Sequence, residues 1–196
     1  MPILTILAGP NGSGKSTLTS QLNFEGRANL LDPDAIARRM DPADPSRVAL
    51  AAGRETIRRT REYLKNAQSF GIETTLSGGG YLETMKAART KGFFIRLVYI
   101  CVGNPEKNIQ RVRQRLAQGG HDVPDEDVRR RYERSLSNLP EALTLANEAW
   151  LYDNSGDAPR MVMESRDGII VWYADDEPAW AAQVRKVMQP DRPATN

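Results

Sequence analysis

The stretch GPNGSGKST, residues 9–17, leaves the chain few ways to fold, because it follows directly on the apolar run 2–8. Gly9, Gly14, Lys15 and Ser16 satisfy the spacing G-x-x-x-x-G-K-[ST], with a predicted strand before and a predicted helix after. Glycines there let backbone N–H groups converge on phosphate oxygens, and the helix start adds partial positive charge. The loop predicts a bound nucleoside triphosphate. Pro10, Asn11, Gly12 and Ser13 form its turn, and Thr17 follows in the first helical turn. Lys15 reaches the β- and γ-phosphates, and the Ser16 hydroxyl is the protein's ligand for Mg²⁺.

Beyond this unit, strands and helices alternate. A short strand is expected at 28–31, leading into LDPDAIARRM, where Pro33 suits a helix start. A long helix is expected over 46–69, because Leu50, Gly53, Ile57, Thr60, Leu64 and Ala67 recur at gaps of three and four. Strands follow at 71–76 (GIETTL) and 93–102 (FFIRLVYICV), with a helix over 82–91 between them. Asn104 caps a helix carrying RVRQR, which GGHDVP ends. Pro124 opens another helix, with Asp125, Glu126 and Asp127 matched to the positive end of its dipole. A strand at 148–153, a hairpin over 161–173 turned at Asp167-Gly168, and a helix over 178–188 complete the pattern. This is an α/β chain with a central, mostly parallel sheet of about five strands and helices on both faces. Residues 1–188 are expected as a single domain with a helical lid near 116–135, and 189–196 as a disordered tail.

Composition narrows the function. Among 196 residues, 27 basic and 25 acidic side chains leave a formal net charge of +2, which argues against bulk attraction to nucleic acid or a membrane. A single cysteine, Cys101, excludes an intrachain disulfide, and with a single histidine, His121, a structural zinc site lacks ligands. No leader pattern opens the chain and no run nears the ~18 apolar residues that span a bilayer. A soluble, cytoplasmic protein is expected.

Where the terminal phosphoryl group goes depends on the acids. Strand 93–102 is followed by GNPE, without the carboxylate that switch GTPases and motor ATPases place at a strand end for Mg²⁺. Asp32 and Asp34 follow the second strand, and Glu73 sits inside the third. Ligands gather at the carboxyl ends of parallel strands, so these groups should meet the phosphate loop. Asp34, pinned by Pro33, is the candidate base for an attacking hydroxyl. Helix capping is the alternative for it, and the favoured role for Asp32. Arg38, on the same helix, joins the substrate-facing set. Glu73 in an apolar strand needs a partner or a role. Thr74, Thr75 and Ser77 offer hydroxyls to a polyhydroxyl substrate, although threonine is also simply common in strands.

On the helix after Pro124, Val128, Tyr132, Leu136, Leu139, Leu143 and Ala146 share one face within about 80° of arc. Arg130, Arg131 and Arg134 cluster opposite. That cationic face turns either to solvent or, through the joint RLAQGGHDVP, onto a transferring phosphoryl group. Arg129 borders the apolar stripe and snorkels. Arg111 and Arg115 share a face of the preceding helix and are phosphate or adenine contacts or ordinary surface charge. His121 is a loop hydrogen-bonder or a substrate contact. Three classes therefore stand: a kinase of small-molecule hydroxyls, a nucleotide-gated binding protein, and a nucleic-acid end kinase. The last lacks a stacking platform, because Tyr132 lies on the apolar face.

Taken together, AGPNGSGKST, LDPDAIA, FGIETTLSG and GGHDVP…RRRYERSLSNL resemble the zeta-toxin family of P-loop kinases, particularly its small bacterial members, from Leu4 to about Gly156. The resemblance implies a P-loop kinase fold, ATP and Mg²⁺ as cofactors, and phosphorylation of a small-molecule hydroxyl. In the better-known members the acceptor is UDP-N-acetylglucosamine, and a protein antitoxin blocks the ATP site. It implies Lys15 and Ser16 in the phosphate loop, Asp34 as base, Glu73 and Thr75 in a substrate-lining strand, and Arg131 and Arg134 as lid arginines. The chain is shorter than the larger toxins and leaves little room for elements that grip a large nucleotide sugar.

Overall fold

The computed structural model describes residues 1–117 and 123–189. Strand β1 (Ile3–Ala8) lies inside the sheet because it is apolar towards both faces, with Leu4, Ile6 and Leu7 buried. It pairs in parallel with β3 (Phe70–Thr74) on one side and β4 (Phe94–Cys101) on the other. Outside these run β2 (Leu30–Leu31), parallel to β3, and β5 (Glu148–Asp153), parallel to β4. The five expected parallel strands are therefore present. The hairpin β6 (Arg160–Arg166) and β7 (Ile169–Tyr173) then adds antiparallel to β5, giving a seven-stranded sheet of order β2-β3-β1-β4-β5-β6-β7. Its turn falls at Asp167-Gly168 as expected, both residues having positive φ.

Because the chain passes outward from β1 to β2, returns through β3, and then crosses to β4, the strand order reverses at β1. The crevice at the carboxyl end of β1 is where such a sheet takes ligands. Helix α1 (Lys15–Gln21) starts there. Helix α2 (Pro33–Met40) follows β2 and packs on α3 (Ala49–Lys65). Next come α4 (Gly80–Thr90), α5 (Pro105–Ala117), α6 (Asp125–Leu145) and α7 (Ala179–Met188).

The long helix expected over 46–69 is shorter, and its inward face keeps Thr60 and Leu64 of the expected stripe but not Leu50 or Ile57. A 3₁₀ turn occupies Pro45–Val48, and the residues of α3 that face the core are Ala52, Thr56, Thr60 and Leu64. Leu50 and Ile57 are 71% and 53% exposed. Thr56 and Thr60 reach the interior because their hydroxyls donate to the carbonyls of Ala52 and Thr56, both at 2.8 Å, which satisfies a group that the sequence pattern counts as polar. Helix α6 buries Val128, Tyr132, Ser135, Leu139, Ala142 and Leu143. The part of the expected lid that falls on residues 125–135 is thus fixed to the core. His121 and residues 190–196 lie outside the described residues.

Candidate nucleotide and acceptor site

Backbone shape at the phosphate loop is imposed by its neighbours. Gly9 has φ +145, and a Cβ there would come within 2.0 Å of the Ile100 carbonyl oxygen on β4. Gly14, at the start of α1, has φ +98, and its Cβ would meet Asn154 Nδ2 at 2.4 Å. Only glycine fits either place. The loop is then braced from outside. Asn154 Nδ2 donates to the Ser13 carbonyl at 2.8 Å, and the buried Asn108 on α5 donates to the Asn11 carbonyl.

Lys15 Nζ donates to the Pro10 carbonyl at 2.9 Å. Its ammonium group is enclosed, although the residue as a whole is half-buried. Burial pulls its pKa down to about 8, against the pull of the Glu73 and Asp34 carboxylates. The Ser16 hydroxyl donates to Glu73 Oε1 at 2.8 Å. Glu73, on β3 beside β1, is 9% exposed. Burial raises its pKa, opposed by the Ser16 hydrogen bond and by Lys15. The expectation placed Glu73 in a substrate wall. The structure also ties it to Ser16, because β3 rather than β4 brings its carboxylate to the start of α1.

These residues meet Asp34 across a cleft of about 190 Å³, lined by Asn11, Lys15, Ser16, Asp32, Asp34, Glu73, Thr74, Thr75, Tyr81, Arg115 and Arg131 among others. Asp32 caps α2, accepting from the Asp34 backbone N–H at 2.9 Å. The Asp34 carboxylate sits at the exposed rim of the cleft, and among the described residues it accepts no hydrogen bond and forms no ion pair. A second cavity of about 660 Å³ adjoins on the other side of the loop, lined by Gly12, Gly14, Thr17, Leu18, Arg111, Arg115 and the segment Gly156 to Pro159. Arg111 donates to the Asn154 carbonyl at 2.8 Å. Arg111, Arg115 and Thr17, expected at the nucleotide, all line this second cavity, and Arg115 lines the cleft as well.

Several expected site residues stand elsewhere. Arg38 is 58% exposed and turns back to Asp32 at 3.6 Å, bracing the cap instead of lining the cleft. Ser77 shares a hydrogen bond with Thr75 at 2.8 Å and supports that side chain from behind. Of the three α6 arginines, only Arg131 lines the cleft, where it donates to Asn11 Oδ1 at 3.4 Å. With 100° per residue and the buried face centred between Val128 and Tyr132, Arg131 falls on the flank, whereas Arg130 and Arg134 point to solvent. Arg130 pairs there with Asp127 at 2.7 Å, and Arg134 makes no ion pair or hydrogen bond among the described residues. Arg129 pairs with Glu106 at 2.9 Å, so the run offers few free cations to a polyphosphate backbone.

Sequence reasoning missed Tyr81, Asn108, Asn154 and the segment 156–159. The segment was findable, since DNSGDAP follows a parallel strand at its carboxyl end, where ligands collect. Nothing local distinguishes Asn108. For Mg²⁺ the residues present fit: Ser16 gives its proton to Glu73 and keeps its oxygen lone pairs for a cation that phosphates and water otherwise coordinate.

Residues 4–139 match the sequence profile of the AAA domain family. A protein of Haemophilus influenzae described only as uncharacterized is 37% identical over 124 residues, 63% of this chain and 88% of its own. The crystal structure of AvrRxo1-ORF1:-ORF2 with ATP superposes on the whole chain with a TM-score of 0.69 at 15% identity, and this chain spans 66% of that one. A structure from the PezAT chromosomal toxin–antitoxin system of Streptococcus pneumoniae gives 0.60 at 18% identity, over 96% of this chain and 78% of that one. This chain thus covers just under two thirds of the first of these solved chains. At these identities the likenesses establish the fold, which is that of P-loop kinases.

Proposed function

The chain belongs to the AAA domain family, and from that premise we propose that it is a phosphotransferase moving the γ-phosphoryl group of ATP to a hydroxyl of a small molecule. The observation that carries this reading is Asp34: a carboxylate with no hydrogen bond or ion pair among the described residues, on the rim of the cleft that Lys15 and Ser16 line. Asp34 accepts the proton of the attacking hydroxyl. Lys15 and Arg131 hold positive charge against the phosphoryl oxygens as negative charge shifts between them. Glu73 keeps the Ser16 hydroxyl turned so that its lone pairs face the metal position. When bound, Mg²⁺ would be held on the protein side by the Ser16 hydroxyl and would neutralise phosphate charge. Thr74, Thr75 and Tyr81 form the wall against which the acceptor rests.

The zeta-toxin resemblance makes a nucleotide sugar such as UDP-N-acetylglucosamine the first acceptor to try, and the toxin–antitoxin neighbour supports a protein antitoxin as partner. Among the described residues no helix is long and apolar enough to cross a membrane, in keeping with a cytoplasmic enzyme. Incubation with γ-labelled ATP and a cell extract should yield a labelled metabolite. Asp34→Asn should abolish that product, with ATP affinity within about twofold of wild type, since the side chain touches the acceptor and not the phosphates. Transfer by Asp34→Asn at the wild-type rate would refute the assignment of the base.

A further inference from the structure

Beyond Thr74 the chain leaves β3 through Thr75, Leu76 and Ser77. Leu76 has φ +56, a left-handed conformation unfavourable for a non-glycine residue, yet its side chain is fully buried. Two hydrogen bonds hold the strained peptide. The Leu76 N–H donates to Thr74 Oγ1 at 2.9 Å, and the Leu76 carbonyl accepts from Asn138 Nδ2 at 2.8 Å. The residues before this kink line the cleft: Thr74, whose carbonyl accepts from the Gly9 N–H at 3.2 Å, sits beside the phosphate loop, Thr75 follows it outward, and Thr75 is tied to Ser77.

Asn138 stands on α6, seven residues after Arg131. At 100° per residue the two lie within about 20° of each other on the same flank, two turns apart. Arg131 reaches Asn11 in the phosphate loop, and Asn138 reaches the acceptor turn. Between them α6 is fastened to β4: the Ser135 hydroxyl meets Tyr99 at 2.9 Å, and the Tyr132 hydroxyl donates to the Val102 carbonyl at 3.0 Å. One helix, anchored by its buried face, therefore contacts both the phosphate loop and the turn after β3.

We propose that Asn138 is a positioning residue that sets the acceptor wall, holding Thr74 and Thr75 in place through the Leu76 turn without touching the acceptor. The proposal rests on the kinase reading above and assigns that reading a residue outside the cleft. Its signature is selective: acceptor use suffers more than nucleotide binding, because Asn138 holds the turn after Thr74 and bonds to no residue of the phosphate loop.

The test uses the full chain, γ-labelled ATP and, as acceptor, the unphosphorylated form of the metabolite that becomes labelled in extract. Asn138→Leu keeps the size and removes the donor. We expect its kcat/KM for the acceptor to fall on the order of tenfold to a hundredfold, as misplacing a reacting partner by about an ångström does. The Kd for ATP should move by less than about twofold, and Asn138→Gln, which retains an amide donor, should recover part of the loss. If Asn138→Leu does not accumulate as folded protein, Asn138→Ala withdraws the donor without adding apolar bulk and is read in the same way. Unchanged acceptor kinetics would overturn this role and leave the kinase reading standing. Loss of ATP affinity in step with transfer would also overturn it, by assigning Asn138 to folding alone. Absence of any labelled product from the wild-type protein would remove both.

Discussion

Burial at the phosphate loop makes ATP binding depend on pH above neutrality, and the group responsible is Lys15. Without nucleotide its pKa is about 8, lowered chiefly because the ammonium is enclosed. Phosphate oxygens require the charged form, so binding raises that value. At pH 7 about nine tenths of Lys15 already carries its proton, and at pH 9 only about one tenth does. Raising the pH from 7 to 9 must therefore weaken ATP binding by about tenfold, or roughly 1.4 kcal/mol, with uptake of close to one proton per ATP at the upper end. Folding responds with the opposite sign. The unfolded chain holds this proton up to 10.5, so stability without nucleotide rises with pH between about 8 and 10.5. Calorimetry in two buffers of different ionisation enthalpy reads both Kd and the proton count, and Lys15→Met serves as the control that cannot titrate. A wild-type Kd constant between pH 7 and 9, or the same slope in Lys15→Met, would refute the attribution to this lysine.

Other perturbations follow from contacts on the same elements. Glu73→Gln can still accept from Ser16 but carries no charge to bury. The pKa of Glu73 is raised in the fold, so its ionised form loses stability as pH rises through that value. The variant should therefore melt several degrees higher at pH 7 while transferring phosphate more slowly. A lower Tm would contradict the burial argument. Gly14→Ala should lose measurable ATP binding in calorimetry, because the new Cβ at φ +98 meets Asn154 Nδ2; near-normal affinity would mean the loop relaxes freely. Trp180→Phe removes the indole N–H that donates to the buried Asp153 at 3.1 Å. It should cost about 1–3 kcal/mol in urea unfolding, and an unchanged midpoint would show that Ser155, which also donates to Asp153, suffices alone.

The phosphate loop was legible in the sequence because everything that defines it is contiguous: a strand, a glycine-rich turn, a lysine and a hydroxyl. Asp34 was legible for a related reason, since Pro33 ties it to a helix start one strand away. Periodicity on α3 placed Thr60 and Leu64 inward correctly but missed Thr56, which satisfies its hydroxyl on the preceding turn and is buried where Leu50 and Ile57 were expected. Periodicity on α6 found the buried face but not the neighbour beside each flank. It grouped Arg130, Arg131 and Arg134 together, although only Arg131 has the phosphate loop within reach. The braces were invisible: Asn154 lies 141 residues from the Ser13 carbonyl that it holds, and Asn138 lies 62 from Leu76. Such pairs depend on strand order, which no local pattern encodes. Strand order also decides the chemistry of the carboxylates. Had β4 carried the acid that meets Ser16, β3 would be free to serve the acceptor alone. Because β3 lies next to β1, Glu73 is drawn to the serine, which leaves Asp34, with no hydrogen bond or ion pair among the described residues, as the carboxylate we propose for accepting the proton.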